Sequence, residues 1–207
     1  MVDLHPGWPV VLSAGPVTLR PPKRSDAGAW SRSRLRNAAW LTQWEPTSGQ
    51  GWQQRNTPHE FRRGLSRLKS AARVGTVLPF VMFYGDRLVG QMTASNVIRG
   101  ALRSCSIGYW IDSAVAGRGI TPTALAMLID HCLTDVRLHR VEVNIRPENQ
   151  ASIRVVEKLG LRREGYHERF LDIDGGWRDH LTFAITIEEI LDGPVLSRLP
   201  SLPIPPG

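Results

Sequence analysis

Apolar positions recur at helical spacing in one long stretch of this chain and at strand spacing in several others. Leu125, Leu128, Ile129, Cys132, Leu133 and Val136 fall three and four apart, the stripe of a half-buried amphipathic helix. Pro122 stands where the first helical residue is expected. Ahead of it, residues 107–112 (I-G-Y-W-I-D) make an apolar, aromatic strand, followed by the turn V-A-G-R-G at 115–119. Runs at 80–84 and 87–96 flank Gly85-Asp86, a two-residue hairpin turn, and a third strand over 103–111 returns after the Arg99-Gly100 bend. Beyond the long helix come a strand over 140–145 and a second helix. Asn149 caps that helix, Ile153, Val156 and Leu159 form its stripe, and Gly160 stops it. Strands over 162–173 and 177–187 are joined by the Asp174-Gly175-Gly176 turn. Near the front, 17–20 reads as a strand, Ser25 or Asp26 caps a helix to about Asn37, and Thr57 caps another to about Arg73. This order predicts one α/β domain over residues 1–192, a mixed sheet with helices on its faces.

The turn before the long helix carries the clearest chemistry. Two glycines let the backbone direct N–H groups toward one point, and a helix N-terminus adds partial positive charge there. Arg118 adds a full charge. Together they suit a pyrophosphate, although two glycines alone also fit a merely flexible turn. Other phosphate loops are excluded by spacing: G-x-G-x-x-G would need glycine at Pro122, and no G-x-x-x-x-G-K-[ST] occurs. The strands ahead of the loop read as antiparallel hairpins, which also excludes a Rossmann unit.

G-Y-W-I-D before A-G-R-G-I, with N-Q-A-S-I-R-V-V-E-K-L-G-L after the next strand, resembles the GCN5-related N-acetyltransferase (GNAT) family. Four segments resemble its RimJ-type branch, the ribosomal-protein-alanine N-acetyltransferases: W-E-P at 44–46, S-N-V-I-R-G at 95–100, L-H-R at 138–140 and I-D-G-G-W-R-D-H at 173–180. The resemblance covers most of residues 15–190. It implies the GNAT fold, an α/β arrangement whose central sheet of about seven strands is mixed but mostly antiparallel, and acetyl-CoA as cosubstrate without a metal. Trp110, Ile111, Asp112, Ala116, Gly117, Arg118, Gly119, Ile120, Thr121, Asn149 and Ser152 are then the expected cofactor-binding residues. Trp44, Glu45, Asn96, Glu168 and Asp172 are the expected acceptor-side residues. The chain departs from the family at Ala116 and Thr121 in the loop, and at Ser106, where many relatives carry Glu. No general base is available at that last position.

Acetyl transfer requires a held thioester, a polarised carbonyl, a deprotonated amine and a protonated leaving thiolate. The resemblance implies that backbone N–H groups around 110–112 hold the pantetheine and polarise the carbonyl. A free α-amine has a pKa of about 7.7–8.0, so its base has a modest task. Glu45 is the first candidate, as base or as the group that recognises the amine; Glu168 and Asp172 follow. Ser152, one turn after Asn149, is the candidate acid for the thiolate. The structural alternative is that Asn149 and Ser152 only satisfy the helix start. In W-R-D-H, Asp179 is expected to order neighbouring backbone or Arg residues, and His180 is a candidate proton relay.

Composition narrows the remaining choices. At 207 residues and 42% apolar content, the chain can build one core, and no run of 18 apolar residues suggests a membrane span. M-V-D-L-H-P-G at the front lacks a secretory pattern. Cys105 and Cys132 read as buried thiols of a cytoplasmic protein. The histidines lack metal-ligand spacing, and no G-x-S-x-G elbow occurs. Five prolines among the last fifteen residues mark 193–207 as a tail, disordered or laid on a neighbouring surface. Residues 1–75 hold 12 Lys/Arg against 4 Asp/Glu, while 76–207 hold 14 against 15. That front-loaded charge, on Arg32, Arg34, Arg36, Arg62, Arg63, Arg67, Lys69 and Arg73, reads as a solvated helical face or as a surface for ribosomal RNA. A basic protein N-terminus as substrate would need an acidic groove, for which Glu45, Glu168, Asp172, Asp174 and Asp179 are available. The leading expectation is transfer to a protein α-amine, plausible acceptors being N-terminal alanines of ribosomal proteins. A small-amine acetyltransferase and a non-catalytic ribosome-assembly factor are the alternatives.

Overall fold

The computed structural model describes residues 7–203. The secretory reading rests largely on residues 1–6, and the end of the tail is 204–207; both lie outside the described residues. Eight strands form one sheet in the order β1-β2-β3-β4-β5-β6-β8-β7. They are β1 (Leu12–Ala14), β2 (Val17–Arg20), β3 (Leu78–Tyr84), β4 (Arg87–Ile98), β5 (Ser104–Ile111), β6 (Arg140–Ile145), β7 (Arg162–Ile173) and β8 (Gly176–Thr186). All neighbours pair antiparallel except β5 with β6. The expected seven strands become eight because β1, three residues long, is too short to show an alternation.

The longer helices follow their sequence signals. Helix α1 (Ala27–Arg36) is entered through a tight turn in which the Asp26 carboxylate accepts the Lys23 N–H at 2.6 Å and is held by Arg20. The one-turn helices α2 (Ala38–Leu41) and α3 (Trp52–Arg55) have no sequence period to announce them. Helix α4 (Pro58–Arg73) is capped by Thr57, whose hydroxyl accepts the Glu60 N–H at 3.2 Å. Helix α5 (Ile120–Thr134) corrects two expectations. It starts at Ile120, so Pro122 is its third residue, where a missing N–H costs nothing. It is also buried on almost every side rather than half-buried. The sheet covers one side, and tail residues Leu196, Leu199 and Leu202 pack against the same core. Helix α6 (Gln150–Lys158) ends where Gly160 turns at φ +73.

The tail is therefore laid on the domain through 203. The Asp130 carboxylate accepts the Val195 and Leu196 N–H groups at 2.7 and 3.0 Å, and Arg198 bonds the Leu159 and Glu189 carbonyls. The basic front segment is not uniformly a solvated face. Arg62, Arg63, Arg67 and Arg73 are exposed on α4, but Arg34 is buried and Arg36 is paired with Asp112. Among the described residues no helix is long and apolar enough to cross a membrane.

Candidate active site

β5 pairs with β4 from Ser104 to Ile111 but with β6 only at Ser104↔Arg140, Cys105↔Val141 and Ser106↔Glu142. Past Ser106 the two parallel strands part, leaving residues 107–111 without a strand neighbour on that side. Two cavities occupy the opening. One, of about 580 Å3, lies among the end of β5, the glycine turn, and the starts of α5 and α6. The other, of about 350 Å3, lies among β4, β5, β6, the strap 44–46 and the β7–β8 hairpin. They share Trp44, Glu45, Tyr109, Trp110, Asn149 and Ser152, so the two spaces meet at those side chains.

The glycine turn fits an anionic ligand. Gly117 and Gly119 both stand at φ +80, where side chains are strained, and Gly119 is the N-cap of α5. The first backward helix bond is Thr123 N–H to Gly119 O at 3.2 Å. The N–H groups of residues 117–121 therefore have no acceptor among the described residues. Ala116, Gly117, Gly119, Ile120 and Thr121 line the larger cavity, with Trp110, Ile111, Asn149 and Ser152. Arg118 is exposed and lines neither cavity. Asp112, expected at the cofactor, lines neither cavity and serves as a strut. Its N–H donates to Val89 O at 2.7 Å, and its fully buried carboxylate receives Asn37, Arg36, Arg87 and the Ala114 N–H. Burial raises its pKa, but the Asn37, Ala114 and Arg36 contacts together hold it below the ordinary value.

At the junction, the Asn149 side chain accepts the Ser152 N–H at 3.1 Å, so the capping role is real. It uses the serine's backbone, and the hydroxyl lies beside that of Tyr109. The Tyr109 hydroxyl is buried beside Ser152 without a partner in good hydrogen-bond geometry. Burial pushes its pKa well up, and the approach of Ser152 only partly offsets this. Tyr109 was legible only as a letter in G-Y-W-I-D; the strand period puts it on a face but not in a cavity.

Glu45 is held by Arg34, whose Nη1 meets Glu45 Oε1 at 2.7 Å while its Nε donates to Asn56 Oδ1 at 2.9 Å. The Arg34 guanidinium also lies 4.7, 5.2 and 5.6 Å from the ring centres of Trp52, Trp110 and Trp30. The strap is clasped to the hairpin. Pro46 bridges Ile173, Asp174 N–H donates to Glu45 O at 3.1 Å, and Thr47 Oγ1 donates to Asp172 Oδ1 at 2.6 Å.

Three expected acceptor-side residues lie apart from both cavities. Asp172 serves that clasp outside the cavity. Asn96 is exposed at φ +52 in a β4 bulge, and Glu168 is exposed beside Arg169. Neither lines a cavity, because a bulge turns one outward and an edge strand presents the other to solvent. The expected acidic groove is corrected as well, since Glu45 is the one acidic residue lining the smaller cavity. Asp179 receives the Tyr166 hydroxyl and the Arg169 N–H. Within the smaller cavity, His180 Nδ1 lies 3.0 Å from Arg178 O; because a carbonyl only accepts, Nδ1 carries the proton. Burial lowers its pKa; the Arg178 contact, Glu148 and Asp179 oppose this, and Arg146 adds to it. No cluster that could hold a metal ion occurs among the described residues.

Residues 17–162 match the family described as Acetyltransferase (GNAT) domain. The chain is 30% identical over 178 residues to the [Ribosomal protein uS5]-alanine N-acetyltransferase of Escherichia coli, covering 81% of this chain and 87% of that one. It is 40% identical over 100 residues to the probable N-acetyltransferase YjcK of Bacillus subtilis, a match spanning 48% of this chain and 55% of that relative. Among solved structures, Mycobacterium smegmatis RimJ in complex with CoA-disulfide superposes with TM-score 0.90 at 47% identity, over 94% of this chain and 95% of that one. The chain belongs to the GNAT acetyltransferase family and is an acetyl-CoA-dependent N-acetyltransferase of the ribosomal-protein acetyltransferase type.

Proposed function

We propose that this enzyme acetylates the N-terminal α-amine of a protein in the cytoplasm, with the N-terminal alanine of a ribosomal protein as acceptor. The meeting of two separately walled cavities at Glu45, Tyr109 and Ser152 carries the reading, since a thioester and an amine must enter from different sides. The relative named for uS5 alanine supports the acceptor class. A lining of one acidic residue, Arg146 and otherwise neutral groups favours the terminal residue of a peptide over a polycationic small amine, with any basic tail beyond that residue lying outside the cavity.

In this reading the pyrophosphate rests on the N–H groups of 117–121, with Asn149 and the open edge of β5 along the pantetheine. Glu45, fixed by Arg34, supplies the negative charge that draws the ammonium. Ser152 Oγ–H protonates the departing thiolate. Ser152→Ala is expected to lower turnover tenfold to a hundredfold, on the order of 1–3 kcal/mol, with acetyl-CoA affinity nearly unchanged. Peptides with N-terminal alanine, serine and blocked termini, incubated with acetyl-CoA and read by mass spectrometry, test both points. Acetylation of lysine side chains alone would overturn the acceptor.

The exposed α4 arginines support docking to ribosomal RNA. Reversing Arg63 and Arg67 to Glu is expected to abolish salt-sensitive association with ribosomal particles while sparing acetylation of a free peptide. Equal sedimentation of both proteins with particles at every salt concentration would leave those charges as solvation.

A further inference from the structure

We propose that His180 is the general base that takes the proton from the acceptor amine. The assignment rests on the α-amine reading above and starts from the lining of the smaller cavity. Its titratable side chains are Glu45, Tyr109, Arg146 and His180. Arg146 is a cation with no lone pair to offer. The Tyr109 hydroxyl is kept protonated by burial. One Glu45 oxygen is committed to Arg34. His180 alone among the four offers a nitrogen lone pair that no neighbour takes up.

Its ring is fixed for that use. Nδ1–H is spent on the Arg178 carbonyl, so Nε2 carries the lone pair and has no hydrogen-bond partner among the described residues. Phe170 of β7 packs edge-on against the ring at 5.6 Å between centres, and Phe170 itself lies tilted against His167 at 4.9 Å. The residue is 4% exposed, so the ring has little room to turn. The charged and titratable groups around it are Arg146 at the end of β6, Glu148 beyond it, Asp179 on its own strand and His167 across from it on β7. Burial outweighs the acidic neighbours and lowers its pKa, so the imidazole is neutral at pH 7, when much of an α-amine is still ammonium.

The step balances. Nε2 takes one proton from the ammonium, directly or through one water, and the freed nitrogen lone pair forms the C–N bond to the thioester carbonyl. As the tetrahedral intermediate collapses, the C–S bond breaks, and sulfur leaves with the electron pair and takes the Ser152 proton. The nitrogen, which still carries two hydrogens and a positive charge, releases one of them through water to solvent. The imidazolium returns its proton to solvent, from which Ser152 recovers its own.

His180→Gln retains an amide able to bond the Arg178 carbonyl but has no base at the Nε2 position. With acetyl-CoA and an N-terminal alanine peptide, its kcat at pH 7 is expected to fall about a hundredfold, with KM for acetyl-CoA within about twofold of wild type. The deficit should narrow toward alkaline pH, where the amine deprotonates unaided. His180→Ala should regain rate on addition of imidazole. A nitrogen-15 spectrum of the histidine rings, assigned through the Gln variant, should show His180 neutral and protonated on Nδ1 at pH 7. Parallel pH profiles for wild type and His180→Gln, or a ring protonated on Nε2, would overturn the base while leaving the acceptor intact. A wild-type enzyme that binds acetyl-CoA yet modifies no α-amine would overturn both.

Discussion

Gly119→Pro is expected to show no measurable acetyl-CoA binding by calorimetry while its circular dichroism stays that of the folded protein. Three effects act together. Gly119 sits at φ +80 and proline is locked near −65°. The substitution removes one of the free N–H groups at the mouth of α5. It also places a β-carbon 2.8 Å from Leu202 Cδ2, so the tail behind the loop must move. Gly117→Ala serves as the graded companion, because its β-carbon meets nothing within 4 Å. Its loss is then only the left-handed strain, about 1–2 kcal/mol, or roughly tenfold in affinity. Normal affinity in a folded Gly119→Pro protein would remove the pyrophosphate from this turn.

Arg34→Ala is expected to be the most destabilising single change at the site. Removing one partner of a buried ion pair costs about 3–5 kcal/mol; Glu45 keeps some exposure, so roughly 2–4 kcal/mol is expected. For a chain of this length, that corresponds to a fall in Tm of about 5–15 °C. Much of the loss is packing, since the guanidinium fills the space among Trp30, Trp52 and Trp110. Arg34→Lys should recover little, because an ammonium cannot bond Asn56 and Glu45 together while lying among three rings. A Tm within about 2 °C of wild type would show that the cage carries no load.

Local signals carried much of the architecture. The Gly85-Asp86 and Asp174-Gly175-Gly176 turns, the Thr57 and Asn149 caps and the two-glycine turn each act within a few residues, where spacing is a direct read of geometry. What depends on distant partners was hidden. Nothing local says that β5 and β6 part after Ser106, yet that parting makes the site. Arg34 reads as one more surface charge until residues 18 and 76 positions away supply Trp52 and Trp110. Asn96 is read from a motif and Glu168 from its charge alone, and a bulge and an exposed edge strand hold them away from the cavities. The Ser152 hydroxyl and His180 Nε2 were nameable as residue types. Their freedom to act depends on which of their other atoms are already bonded, which no spacing records.

The clasp between 45–47 and 172–175 joins segments more than 120 residues apart in the chain. Most of the larger cavity's walls belong to other elements, β5, α5 and α6. The smaller cavity is thus free to drift in evolution through matched changes on the two sides of one small joint, while the larger one stays as it is. Among orthologous sequences, positions 47 and 172 should vary as a pair, and exchanging one without the other should loosen both walls of the acceptor cavity at once.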